Sequence, residues 1–166
     1  MKISRPKLKI PLTIPEIIIE GICALVIIGS AIFMMLKLNE LPEKIPTHFG
    51  IFGRPDRWGG KGGLIALLIV NLGLYALLTI LGRFPHVFNY LCEINEDNAK
   101  FQYTNSRTLI ALIKTEITTL FSYMLWVSIW VAEGKMEGVG VAFLPVFLMV
   151  LFGTVAFFTV RMIRGK

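Results

Sequence analysis

Four long apolar runs separated by polar stretches of unequal length set the pattern of this chain. The first, Ile17 to Leu38, is almost wholly Ile, Leu, Val, Ala, Phe and Met. Its length matches the roughly 20 residues with which a helix, rising about 1.5 Å per residue, crosses about 30 Å of hydrocarbon. The second, Leu64 to Leu81, is interrupted by Asn71, Gly73 and Tyr75, and Asn71 is expected to face a neighbouring helix that gives its amide a partner. The third, about Leu109 to Val131, carries Lys114, Thr115, Glu116, Thr118 and Thr119 in its first half and Tyr123, Trp126 and Trp130 towards its end, where aromatics suit a membrane interface. The fourth, Val139 to Val160, holds no charge and stops at Arg161 and Arg164. Its Pro145 is expected to kink the helix or mark a packing site.

The polar stretches have characters of their own. Met1 to Pro15 is basic and proline-rich, with no helical period. Residues 39–63 form the long polar loop between the first two runs, and residues 83–108 the connection between the second and third. In that connection FPHVFNYLCEI reads as an extended or interfacial piece. Asn95, followed by Glu96 and Asp97, reads as a helix N-cap with acids in the first turn. One helix from about Glu96 to Val131 follows, since no breaker occurs before Gly134. The expected fold is therefore all-α: a polytopic membrane protein with a single four-helix transmembrane domain over residues 1–166 and an ordered extracellular loop between helices 1 and 2.

Composition agrees with the pattern. The chain is 55% hydrophobic and only 17% charged, and its mean hydropathy is +0.69, against about a quarter charged residues in soluble domains. The net charge of +6 does not point to nucleic acid, because the cations gather beside the ends of the apolar runs. Those at the N-terminus (Lys2, Arg5, Lys7, Lys9), in the 83–108 connection and at the C-terminus (Arg161, Arg164, Lys166) predict that both termini are cytoplasmic. The loop with Lys44, Arg54, Arg57 and Lys61, partly offset by Glu40, Glu43 and Asp56, then lies outside. Cys23 and Cys92 are expected as free thiols. The first run is too long for a removable signal and lacks a small-residue cleavage site, so it is expected to stay in the mature protein.

Candidate chemistry falls in three places. In the outer loop, His48 can act as proton carrier or metal ligand with Asp56 as partner, and Phe49 and Trp58 as an apolar floor; alternatively the pair ties the loop to itself while Trp58 anchors at the headgroups. Neither a phosphate loop nor a zinc site is expected: Pro55 and Gly62 break the first pattern, and His48, His86 and Cys92 are not spaced as close ligands. No cofactor is expected. At membrane depth, Glu20 near the start of the first run and Lys114 in the third are expected to pair, with Glu116, rotated about 200° from Lys114, pointing elsewhere. Such charges either relay protons or ions, or set helix position. Third, Asn98 and Gln102 share a helix face, which either meets the end of the second span or a cytoplasmic partner, or simply packs within the chain.

The loop LPEKIPTHFGIFGRPDRWGGK resembles the hallmark of the domain-of-unknown-function 1648 family, a bacterial and archaeal domain that also occurs in SdpI-type toxin-immunity membrane proteins. The matching positions are Leu41, Pro42, Ile45, Pro46, His48, Phe49, Gly53, Pro55, Asp56, Trp58 and Lys61. Asn89, Tyr90, Asn98, Gln102, Tyr103 and Arg107 resemble the family's second element. The resemblance implies a multi-pass plasma-membrane protein of a bacterium or archaeon, of immunity or signalling kind. In that reading His48, Phe49, Asp56, Trp58 and Lys61 recognise a peptide, envelope component or lipid, and the Asn89 to Arg107 set meets a membrane or cytoplasmic protein. The alternatives are a membrane enzyme or transporter using His48 and Asp56 as acid and base, and a structural subunit of a larger membrane complex.

Overall fold

The computed structural model describes residues 5–165; Lys2 and Lys166, counted above among the terminal cations, lie outside the described residues. In chain order the elements are helix α1 (Ile14–Lys37), strands β1 (Ile45–Phe49) and β2 (Pro55–Gly59), helix α2 (Gly62–Leu81), a single 3-10 turn (Pro85–Val87), helix α3 (Ala99–Ala132) and helix α4 (Phe143–Arg164). All four α-helices are long and apolar enough to cross a membrane, and this is a multi-pass membrane protein. Their outward faces are apolar: Ile18, Leu25, Ile32 and Met35 on α1, and Met149, Phe152 and Phe157 on α4, are all exposed. Such surface is stable only in hydrocarbon.

The long helix α3 is the hub, packing against α1, α2 and α4, whereas α4 leans on α3 at the rim. The interior of the bundle is notably polar. Asn71 donates its amide to the Thr118 carbonyl at 3.3 Å and the Ser122 hydroxyl at 3.1 Å, which joins α2 to α3. Asn105 and Gln102 donate from α3 to carbonyls of α4, at 3.1 Å to Phe158 and 2.9 Å to Met162 and Gly165. In a lipid solvent, helices gain nothing by hiding apolar groups from each other, so such bonds and close packing carry the association.

The structure departs from the sequence expectations in four places. The fold is mostly helical rather than all-α, because residues 45–59 form an antiparallel hairpin. α1 starts at Ile14, three residues early, since Thr13 and Glu16 make a capping box: the Glu16 carboxylate accepts the Thr13 backbone N–H at 2.7 Å and its hydroxyl at 2.8 Å. α4 starts late, at Phe143, because Gly138 and Gly140 adopt positive φ. Pro145 consequently falls in the first turn, where a missing N–H costs no intrahelical bond. Trp126 and Trp130, towards the end of α3, pack edge-on against Phe33 of α1 and are partly buried. Finally, α3 starts at Ala99, not Glu96, although Asn95 and Asn98 exchange side-chain to backbone hydrogen bonds at 3.0 and 3.1 Å in the manner of a capping box.

Candidate functional site

Two polar constructions lie at opposite ends of the bundle. The first is the hairpin. Its base is rooted in the core: Leu41 and Ile45 are buried with Met34, Leu64, Leu125 and Ile129 from all three central helices. Two register shifts in β1 let His48 stand opposite Arg57 and close to Asp56. The His48 Nδ1–H donates to Asp56 Oδ1 at 2.5 Å, and Nε2 has no hydrogen-bond partner among the described residues. Both side chains are half-exposed.

The tip is fixed as firmly as the base. Gly53 takes φ +75 and is buried, and its carbonyl accepts the Val139 N–H at 2.8 Å from the loop between α3 and α4. A Cβ on Gly53 would lie 2.4 Å from the Gly140 carbonyl oxygen, and one on Gly138 2.0 Å from that of Gly53. Backbone therefore packs directly on backbone, and only glycine fits. Under the tip runs a groove of about 740 Å³ lined by His48, Asp56, Met124 and Phe143 among others. Ile51 and Phe52, each 73% exposed, and Trp58, 53% exposed, stand on the hairpin surface. Phe49 also lines the groove. Lys61 does not: its ammonium donates to the Leu38 carbonyl at 2.8 Å and closes the C-terminal end of α1. Nearby, hydrogen bonds from Lys135 and Lys37 hold the Glu133 carboxyl below the usual range.

The second construction is at the end that holds both termini. Glu16 and Glu20, one turn apart on α1, meet Arg107 and Lys114, two turns apart on α3. Arg107 forks onto Glu16 at 2.6 and 2.8 Å and also donates to the carbonyls of Ile10 and Pro11, each at 2.8 Å. Lys114 pairs with Glu20, donates to the Thr79 hydroxyl at 3.0 Å and sits over the Tyr75 ring. Tyr75 in turn donates to the other Glu20 oxygen at 2.9 Å. The two rungs stitch α1 to α3, and every carboxylate oxygen in them has a donor. Glu116 points away from this ladder, to the Thr154 hydroxyl of α4 at 2.6 Å.

The remaining residues of the second sequence element are used within the chain. Tyr103 donates to the Pro6 carbonyl at 3.0 Å, and Tyr90 to that of Pro85 at 2.8 Å. Burial pushes the Tyr90 phenol up to about 12, so it remains a donor. Asn98 holds the start of α3 and Gln102 the end of α4, not the end of the second span. Asn89 is exposed. Sequence reasoning missed Glu16 and Thr79; the Thr-x-x-Glu signature at Thr13 and the four-residue step from Glu16 to Glu20 were the available signals.

Comparison with known proteins gives a consistent but sparse picture. An uncharacterized protein of Archaeoglobus fulgidus is 33% identical over 66 residues, which cover 35% of this chain and 36% of that one. The chain thus matches about a third of that relative's length. No solved structure matches. Residues 25–72, from the middle of α1 through the whole hairpin to Leu72 of α2, match the family described as domain of unknown function (DUF1648), and this is the family the chain resembles.

Proposed function

We propose that this is a non-enzymatic plasma-membrane protein of the immunity or sensing type, with both termini in the cytoplasm and the hairpin outside as its recognition element. One observation carries this reading. The hairpin is pinned at base and tip, yet presents the exposed Ile51 and Phe52 and the half-exposed His48–Asp56 pair on a groove of about 740 Å³, with Trp58 exposed on β2 outside that lining. A loop serving only to join two spans needs neither rigid attachment nor large apolar side chains on its surface. Rigid presentation lowers the entropic cost of binding, and aromatic anchors beside a few polar groups suit a peptide or envelope molecule. The cations beside both termini support the orientation.

The His48–Asp56 contact favours a second reading, an acid–base site on the outer face. A carboxylate on Nδ1 orients an imidazole and fixes its tautomer, with Nε2 left to act.

Native mass spectrometry of the full chain in mild detergent, beside its His48→Ala and Trp58→Ala variants, tests the proposal. A peptide or small molecule retained by the parent and lost from both variants at equal folded yield is the expected result. Identical bound material in all three would overturn it.

A further inference from the structure

The ladder of ion pairs forms one wall of a cavity of about 780 Å³ between the N-terminal arm, α1, α2 and α3. We propose that this cavity binds an anionic phospholipid from the leaflet at the terminal end. The charges that line it do not cancel. Its carboxylates, Glu16 and Glu20, are consumed by Arg107 and by Lys114 with Tyr75. Lys9 on the arm and Arg83 just past α2 also line it, are exposed, and have no carboxylate partner among the described residues.

An anion entering the mouth therefore finds two free cations and no free carboxylate. The ammonium of a zwitterionic headgroup finds no counter-charge. The rest of the lining suits an acyl chain, with Leu8, Leu12, Leu78 and Ile110 apolar and Leu12 57% exposed. The placement fits as well, since Arg83 follows the C-terminal end of α2 and Lys9 precedes the N-terminal end of α1, the level at which headgroups lie. The saturated ladder is what makes the site selective: with Arg107 or Lys114 absent, Glu16 or Glu20 would repel the phosphate. The site is independent of the hairpin, so its test and that of the recognition reading can fail separately.

The test titrates phosphatidylglycerol and phosphatidylcholine of identical acyl chains onto the full chain in detergent, read by native mass spectrometry. Phosphatidylglycerol is expected to bind preferentially. The double variant Lys9→Gln/Arg83→Gln, which removes only exposed and unpartnered cations, is expected to weaken it about 30-fold, some 5-fold per cation. The double variant Arg161→Gln/Arg164→Gln, at the same end but outside the cavity, is expected to leave it unchanged. Equal binding of the two lipids, or equal loss in the two double variants, would overturn the site in favour of a general basic collar. Inorganic phosphate alone displacing phosphatidylglycerol at comparable concentration would overturn the lipid in favour of a free anion.

Discussion

At the hairpin end the pair formed by β1 and β2 stands in the open. The His48 and Asp56 side chains are 56% and 49% exposed and hold each other through a single contact. At the terminal end Arg107 and Glu16 are 11% and 3% exposed, and Lys114 is 2% exposed, within a network that fills nearly every donor and acceptor. Both ends contain a carboxylate beside a cationic or titratable base, yet the physical consequences differ. A buried pair is costly to break, because the surviving charge loses water and partner together. An exposed pair returns its members to solvent. Dense internal bonding marks residues that hold the bundle, and sparse bonding marks residues free to meet something else.

The largest expected effect follows from that difference. Arg107→Met strands the Glu16 carboxylate and releases the arm carbonyls of Ile10 and Pro11. Breaking a buried pair in this way costs about 3–5 kcal/mol, read as a loss of unfolding free energy in detergent together with faster proteolysis of the arm before α1. The double variant Glu16→Gln/Arg107→Met keeps an N3 side chain able to cap Thr13 while removing the stranded charge, and is expected to recover most of the loss. If Arg107→Met alone left stability unchanged, the ladder would not be what joins α1 to α3.

The same contrast explains what the sequence could disclose. Apolar runs and a fixed rise per residue place Glu20 and Lys114 at matching depth, so their meeting is legible from spacing alone. Nothing local says that Gln102 reaches the last carbonyls of α4, some 60 residues on, because that depends on how helices pack. The hairpin was hidden for another reason. Strands of five residues containing Pro46 and Pro55 read as loop, and the register shifts that bring His48 to Asp56 have no signature in composition. The early start of α1 was legible in Thr13 and Glu16, whereas the late start of α4 depends on positive φ at Gly138 and Gly140, which apolar neighbours concealed.

An intermediate effect is expected where the hairpin is pinned. Gly53→Ala must relieve a positive φ and a 2.4 Å approach to the Gly140 oxygen, at a cost of about 1–3 kcal/mol. Because Leu41 and Ile45 still root the base in the core, the loss should be confined to the tip. Amide hydrogen exchange is expected to rise in residues 50–56 and 138–142 while α1 and α3 keep their protection. Equal loss of protection along the helices would mean that the hairpin is a structural part of the bundle rather than an element mounted on it.

The smallest expected effect on stability is the most informative about function. His48→Gln removes the contact to Asp56, and because both groups are half-exposed the change should cost no more than about 1 kcal/mol. The stability curve should therefore hardly move, and any ligand of the groove under the hairpin should still be affected, since His48 and Asp56 both line it. A stability loss as large as that of Arg107→Met would place the pair among the groups that hold the fold, and the hairpin would then be a lid rather than a recognition surface. Near-parental stability with weakened retention of a groove ligand would separate the two ends by what they do: one end spends its charges on architecture, and the other leaves them available.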